Sequence, residues 1–165
     1  TALVELRLRV VKLHCSVGNF DAGDPRLEPL WRVAAAEGVP VTIHAGRESP
    51  GIAAAHEVER LASILEAHPA LKLVLAHSGL PELETAVGLM RRFPNLYGDL
   101  TPVWQQPVPV TRELLQEFPG RFLFGSDAPN SPIPAEEQAA RFDRMELSSV
   151  VRDLVMGRAA LDLIS

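Results

Sequence analysis

Two histidines and an aspartate stand where metal or proton chemistry could be done: His44 in Val41-Thr-Ile-His44-Ala-Gly46, His77 in Val74-Leu-Ala-His77-Ser-Gly79, and Asp127 in Phe124-Gly-Ser-Asp127-Ala-Pro129. Each follows a short apolar run that reads as a buried strand, and each has Gly or Pro within two residues after it. One polar residue at the end of one strand is commonplace. Three on separate strand–helix units make a ring of ligand chemistry at one end of a parallel barrel. Imidazole nitrogen with a hard carboxylate oxygen suits a Zn²⁺-type divalent ion that keeps a position open for water. Such an ion lowers the pKa of bound water toward ~7 and polarises a carbonyl. A neighbouring carboxylate can take the water's proton and pass it to a leaving group.

The elements that must position these residues alternate along the chain. Strands are expected over Arg9–His14, Pro40–His44, Leu71–His77, Leu96–Leu100 and Arg121–Asp127. Between the first two, Asp24 is an N-cap with Pro25 at the first helical position, and the helix runs through Leu27, Leu30, Trp31 and Ala34 to a stop at Gly38. Val58, Leu61, Ala62 and Leu65 recur at helical spacing before Pro69, and Pro81 opens a helix that stops at Pro94. A short helix is expected around Arg112–Phe118. Closing helices follow over Pro134–Met145 and Ser148–Ile164, the second weakened at Gly157. Strands alternating with helices in units of about 30 residues imply right-handed βαβ connections on one parallel sheet. Alternation puts Thr42 with His44 on one strand face and Lys12 with His14 on the equivalent face of the first strand.

Bulk properties narrow the class. With 165 residues and 47% hydrophobic content, one domain over 1–165 with its own core is expected. A net charge of -5 argues against a nucleic-acid partner, which needs a positive surface. Apolar runs of five or six residues are too short to span a bilayer. No basic stretch followed by an apolar core opens the sequence, which starts at Thr1 rather than Met, so upstream sequence could carry a leader. Cys15 alone cannot form an internal disulfide, and a reducing, cytoplasmic setting is expected.

The ordered segments VVKLH, TIHAG, LAHSG, YGDLT and FGSDAP, with DPRLEPLW after the first and MGRAALDLI near the end, resemble the amidohydrolase-related (amidohydrolase family 2) metal-dependent hydrolases. The resemblance implies an α/β fold: a partial TIM-type barrel of five units corresponding to strands four to eight. By position it implies that His44 is the fifth-strand metal ligand. His77 is then the sixth-strand histidine that binds a second metal or orients the water and the substrate carbonyl, and Asp127 the eighth-strand ligand and proton shuttle. It implies hydrolysis of an amide, ester or lactone, with non-oxidative decarboxylation on the same site as the alternative. The family's first-strand H-x-H pair is absent from this sequence. The chain therefore looks like the C-terminal part of a longer protein or a shortened product, and a catalytically inactive fragment is a third reading.

Other residues carry competing readings. His14 could contact substrate or be purely structural. Arg47 could grip a substrate carboxylate or be a solvated loop residue, and Trp104 could line a pocket in its Pro-rich loop. Lys12 is expected to be a buried lysine paired with an acid, a carbamylated ligand being the sharper alternative. Asp99 is expected to cap or turn, Cys15 and Trp31 to pack in the core, and His56 and His68 to lie on the surface. Two open sheet edges would favour association of copies.

Overall fold

The computed structural model describes residues 5–45, 57–101 and 110–165. Strands β1 (Val11–His14), β2 (Val41–His44), β3 (Leu73–Leu75), β4 (Leu96–Asp99) and β5 (Phe122–Leu123) form one sheet in sequence order, every neighbouring pair parallel. Helices α1 (Cys15–Gly18), α2 (Glu28–Glu37), α3 (Glu57–Ala67), α4 (Leu83–Arg92), α5 (Arg112–Glu117), α6 (Ala135–Asp143), α7 (Ser149–Asp153) and α8 (Ala159–Leu163) fall between and after the strands. This is the partial α/β barrel expected: a parallel sheet with crossover helices, whose outer strands β1 and β5 pair with no further strand among the described residues.

Local chemistry sets the helix limits. The Asp24 carboxylate accepts the Arg26 N–H at 2.9 Å, and Pro25 opens a 3₁₀ turn (Pro25–Leu27) that leads into α2. Gly38, at φ 67, ends α2 in the left-handed conformation that glycine adopts without penalty. Ser148 caps α7 through the Val151 N–H, and the helical run then breaks into a π turn (Leu154–Arg158) at Gly157, the weak point expected there.

Register divides the side chains between two faces. Val11, Val41, Leu73 and Leu96 align on one; Lys12, Thr42, Val74 and Tyr97 align on the other. The first face builds the main core, where Val41, Ile43, Leu73, Leu75, Leu96 and Phe122 pack against helix residues such as Trp31, Leu61 and Leu83. Each fully buried aliphatic or aromatic side chain of this kind contributes roughly 1.5–3 kcal/mol. The second face carries a smaller cluster in which Val74, Leu123 and Tyr97 meet Ala159, Leu163 and Ile164. α8 therefore covers the starts of the central strands on their barrel-interior side. Lys72 Nζ, donating to the Leu163 carbonyl at 2.8 Å, and Arg9, donating to the Ile164 carbonyl at 2.8 Å, fix its end there. The floor of the half-barrel is filled; the carboxyl ends of its strands are left for other use.

Arg121 ties helix to sheet. Its guanidinium donates to the carbonyls of Leu96 at 2.7 Å, Met90 at 2.9 Å and Phe93 at 2.7 Å, satisfying the C-terminal end of α4 while it lies against the Tyr97 and Phe118 rings.

Three expectations are corrected. The third and fifth strands are shorter than their apolar runs. β3 stops at Leu75 and His77 lies in a 3₁₀ turn (Ala76–Gly79), while β5 stops at Leu123, four residues before Asp127. Lys12 is exposed rather than buried with an acid, because no further strand covers β1 on that side among the described residues. His68 is largely covered, not superficial: its ring is 11% exposed and Nε2 lies 3.1 Å from Glu28, across the α2–α3 contact. His56 lies outside the described residues. Cys15 and Trp31 are buried as expected.

Candidate active site

Three imidazoles meet at the carboxyl ends of β1, β2 and the β3 turn. The His14 and His44 rings stand 4.0 Å apart by centroid and tilt by 32°, as their paired register on adjacent strands requires. His44 and His77 stand 4.5 Å apart, edge to face. His44, in the middle, is 7% exposed, and the outer two are partly covered. A parallel sheet places equivalent strand ends side by side, so residues 30 or more positions apart reach one point without any long excursion of the chain.

The outer rings are wired with opposite polarity. The Nδ1 of His77 is hydrogen-bonded to the Thr101 carbonyl oxygen. A carbonyl can only accept, so that nitrogen carries the proton, and Nε2 carries the lone pair. This tautomer suits a metal ligand or a proton acceptor. At His14 the arrangement is reversed. Its Nδ1 accepts the Val17 N–H at 3.4 Å, capping α1, with Ser16 Oγ 3.2 Å away. A backbone N–H can only donate, so the neutral ring holds its proton on Nε2, which is then a donor atom. With this cap in place His14 suits contact with an anionic oxygen and does not suit metal ligation.

A network under the site holds His77 in place. His77 and Ser78 both adopt left-handed backbone, at φ 53 and φ 51, which non-glycine residues rarely occupy outside functional or tightly supported turns. Ser78 Oγ donates to the Asp99 carbonyl at 2.7 Å, and the Asp99 carboxylate accepts the Thr101 N–H at 2.7 Å. Asp99 thus turns the chain, as its position suggested, and orients Thr101, whose carbonyl orients His77. Gly125 passes so close that an added Cβ would overlap the Thr101 hydroxyl. Thr101 and Ser78, both buried, were not singled out in the sequence. Their only signal was a hydroxyl residue just after a strand end.

Asp127 lies in the loop after β5, also in left-handed backbone at φ 53, and its carbonyl accepts the N–H groups of Asn130 at 2.7 Å and Ser131 at 3.0 Å. The donor types at His44, His77 and Asp127 suit a divalent ion, and the fixed tautomer of His77 is the one ligation needs. Among the described residues, however, no three His, Cys, Asp or Glu side chains stand at the mutual distances that hold a metal ion. Arg47 and Trp104, the other two expected substrate contacts, lie outside the described residues. No helix among the described residues is long and apolar enough to cross a membrane.

Comparison with known proteins agrees with the fold. A TIM-barrel protein of uncharacterised function from Bordetella bronchiseptica superposes with a TM-score of 0.82 at 24% identity, over 98% of this chain and 58% of its own. A probable 2-pyrone-4,6-dicarboxylic acid hydrolase from Acinetobacter baumannii, solved with citric acid bound, gives 0.69 at 15% identity over 98% of this chain and 67% of its own. At these identities the likeness is one of fold. In sequence, the chain is 29% identical to 6-methylsalicylic acid decarboxylase of Penicillium expansum, over 88% of this chain and 56% of that protein. The chain thus spans little more than half the length of this curated relative. The model of the amidohydrolase family matches residues 1–164, and the chain belongs to that family.

Proposed function

We propose that residues 1–165 form one partial-barrel domain of a metal-dependent amidohydrolase-family enzyme. It acts on a small carboxylate-bearing molecule by hydrolysis of an amide, ester or lactone bond. The observation that carries this reading is the opposed wiring of the two outer imidazoles about His44: a lone pair at His77 Nε2 and a proton at His14 Nε2.

By the family resemblance His44, His77 and Asp127 would contribute to the ion's ligand set, with Zn²⁺ the candidate; the three do not stand at ligating distances from one another in this structure, and further ligands would come from outside the described residues. The ion would supply Lewis acidity and an acidified water. His77, kept in one tautomer by Thr101, would orient that water and the carbonyl it attacks. Asp127 would accept the water's proton and return it to the departing oxygen or nitrogen. His14 would donate Nε2–H to an anionic oxygen of the substrate, and Arg47 and Trp104 would add further contacts. The setting we propose is cytoplasmic, without nucleic-acid or membrane partners. Copies would associate through the β1 edge, where Leu6, Leu8, Val10 and Val17 are exposed.

Decarboxylation of an aromatic or unsaturated acid is the second reading, and the sequence relationship to the fungal 6-methylsalicylic acid decarboxylase favours it. The same donor at His14 would then hold the carboxylate that leaves. Purified full-length gene product, analysed for bound metal and incubated with aryl carboxylic acids and with lactones, separates the two. Release of CO₂ supports decarboxylation, and ring opening without CO₂ supports hydrolysis. A metal-free protein inert to both classes, or one whose turnover survives Asp127→Asn, would refute the catalytic assignment and leave an inactive fragment.

A further inference from the structure

Outside the imidazole cluster, Gln138 on α6 is a fully buried glutamine that no sequence pattern marked. Its Nε2 donates to the Ser126 carbonyl at 2.8 Å and the Ile133 carbonyl at 2.9 Å, with Ser131 Oγ at 3.3 Å. These partners lie on both sides of Asp127 in the chain. Ser126 immediately precedes it, and Ser131 and Ile133 end the loop that follows. Within that loop the Asp127 carbonyl gathers the amides of Asn130 and Ser131, and Ser131 Oγ accepts the Ile133 N–H at 3.2 Å. The amide orientation is forced. A flipped Gln138 would present its oxygen to two carbonyl oxygens, neither of which can donate. Its Oε1 is left buried with no hydrogen-bond partner among the described residues, a cost normally avoided. The side chain gives up its acceptor to keep its amide hydrogens on the loop.

We propose that Gln138 is a positioning residue for Asp127. It clasps both ends of the Ser126–Ile133 loop and so keeps Asp127 in the left-handed conformation from which its carboxylate serves the site. The loop part stands on the bonds above; the consequence for metal binding rests on the ligand role proposed for Asp127.

The test replaces Gln138 with methionine, which matches its length but cannot donate. Amide hydrogen exchange is followed at Asn130 and Ser131, with Val41 and Leu73 in the sheet as internal references; their N–H groups donate to the Lys72 and Asn95 carbonyls. In Gln138→Met, exchange at Asn130 and Ser131 should rise at least tenfold while Val41 and Leu73 keep their protection. Should that variant not fold, Ser131→Ala removes one loop partner and should raise exchange at Asn130 by a few-fold. Unchanged exchange at Asn130 in the folded variant would overturn the proposal, as would a rise equal to that at Val41 and Leu73. Cobalt(II) titration of the full-length protein reads the second part. A tenfold or greater loss of affinity in Gln138→Met matches what disturbing a ligand's support costs. If the unmutated protein takes up no cobalt, the ligand reading of Asp127 fails while the exchange result still decides the clasp.

Discussion

Gly98, in the middle of β4, offers a sharp perturbation of the platform beneath His77. A Cβ built there would lie 2.9 Å from Ser78 Oγ and 3.0 and 3.1 Å from two carbons of the Phe122 ring. Ser78 is 1% exposed and Phe122 is not exposed at all, so neither can swing into solvent. Restoring ordinary contact requires shifts of about 0.3–0.5 Å in a close-packed interior, and overpacking of this kind costs ~1–3 kcal/mol. Replacing a strand glycine by alanine returns about 0.5–1 kcal/mol through backbone entropy. At the middle of these ranges Gly98→Ala should therefore lose about 1 kcal/mol net, a fall in Tm of about 2–4 °C for a chain of this size. Since Ser78 Oγ anchors the Asp99 carbonyl, the shift should also reach the neighbouring turn and move the His77 imidazole resonances. A Cβ added at Gly88, on α4, would meet nothing within 4 Å, and Gly88→Ala should raise stability by about 0.5–1 kcal/mol. Denaturant titration of both variants with ¹⁵N spectra of the histidine side chains is the assay. If both substitutions shift stability in the same direction, or Gly98→Ala leaves His77 unmoved, the described contact between Ser78, Gly98 and Phe122 is wrong.

Further outcomes follow from other contacts. Arg121→Met should cost about 2–4 kcal/mol, since it takes a charged donor from three carbonyls, of which that of Phe93 keeps the Leu96 N–H at 3.3 Å; Arg121→Lys should recover only part, lacking the planar fork. Chemical denaturation measures both, and a loss below about 0.5 kcal/mol in Arg121→Met would show those bonds to be dispensable. Asp24 is held down from its ordinary 3.8 to about 2, first by the Arg26 side chain and then by the Arg26 N–H. Its folded value lies below its unfolded one, so its contribution is complete above about pH 4 and fades as the pH falls toward 2. Stability measured across that window should fall less steeply in Asp24→Asn than in the parent chain; identical slopes would remove the pair from the account.

The architecture was legible because two signals agreed along the chain: apolar runs of strand length, and helices with recognisable stops. Asp24-Pro25 and Gly38 bracket the α2 region as expected, and Gly157 interrupts the last helical run. His14 and His44 were readable as neighbours, because side-chain alternation and parallel register put both on one face. His77 and Asp127 were placed on strands that are too long. An apolar run extends an expected strand until something polar interrupts it, yet the backbone leaves β geometry earlier, at Ala76 and after Leu123. Left-handed φ at His77, Ser78 and Asp127 leaves no compositional trace, since none of them is glycine. Lys12 was misplaced because burial depends on what lies beside β1, which local pattern does not encode. Gln138 and Thr101 escaped notice for a related reason: a glutamine in a helix and a threonine in a turn look like ordinary surface residues until their partners, a dozen to two dozen positions away, are known.

The most direct test is a measurement of proximity between imidazoles. In a sample with isotope-labelled histidine, nuclear Overhauser contacts should link the ring protons of His44 with those of His14 and separately with those of His77, and long-range ¹H–¹⁵N correlations should find the proton on Nε2 of His14 and on Nδ1 of His77. Absence of either ring contact to His44, or the same neutral tautomer at both outer rings, would contradict the convergence and opposed wiring on which the proposed chemistry depends.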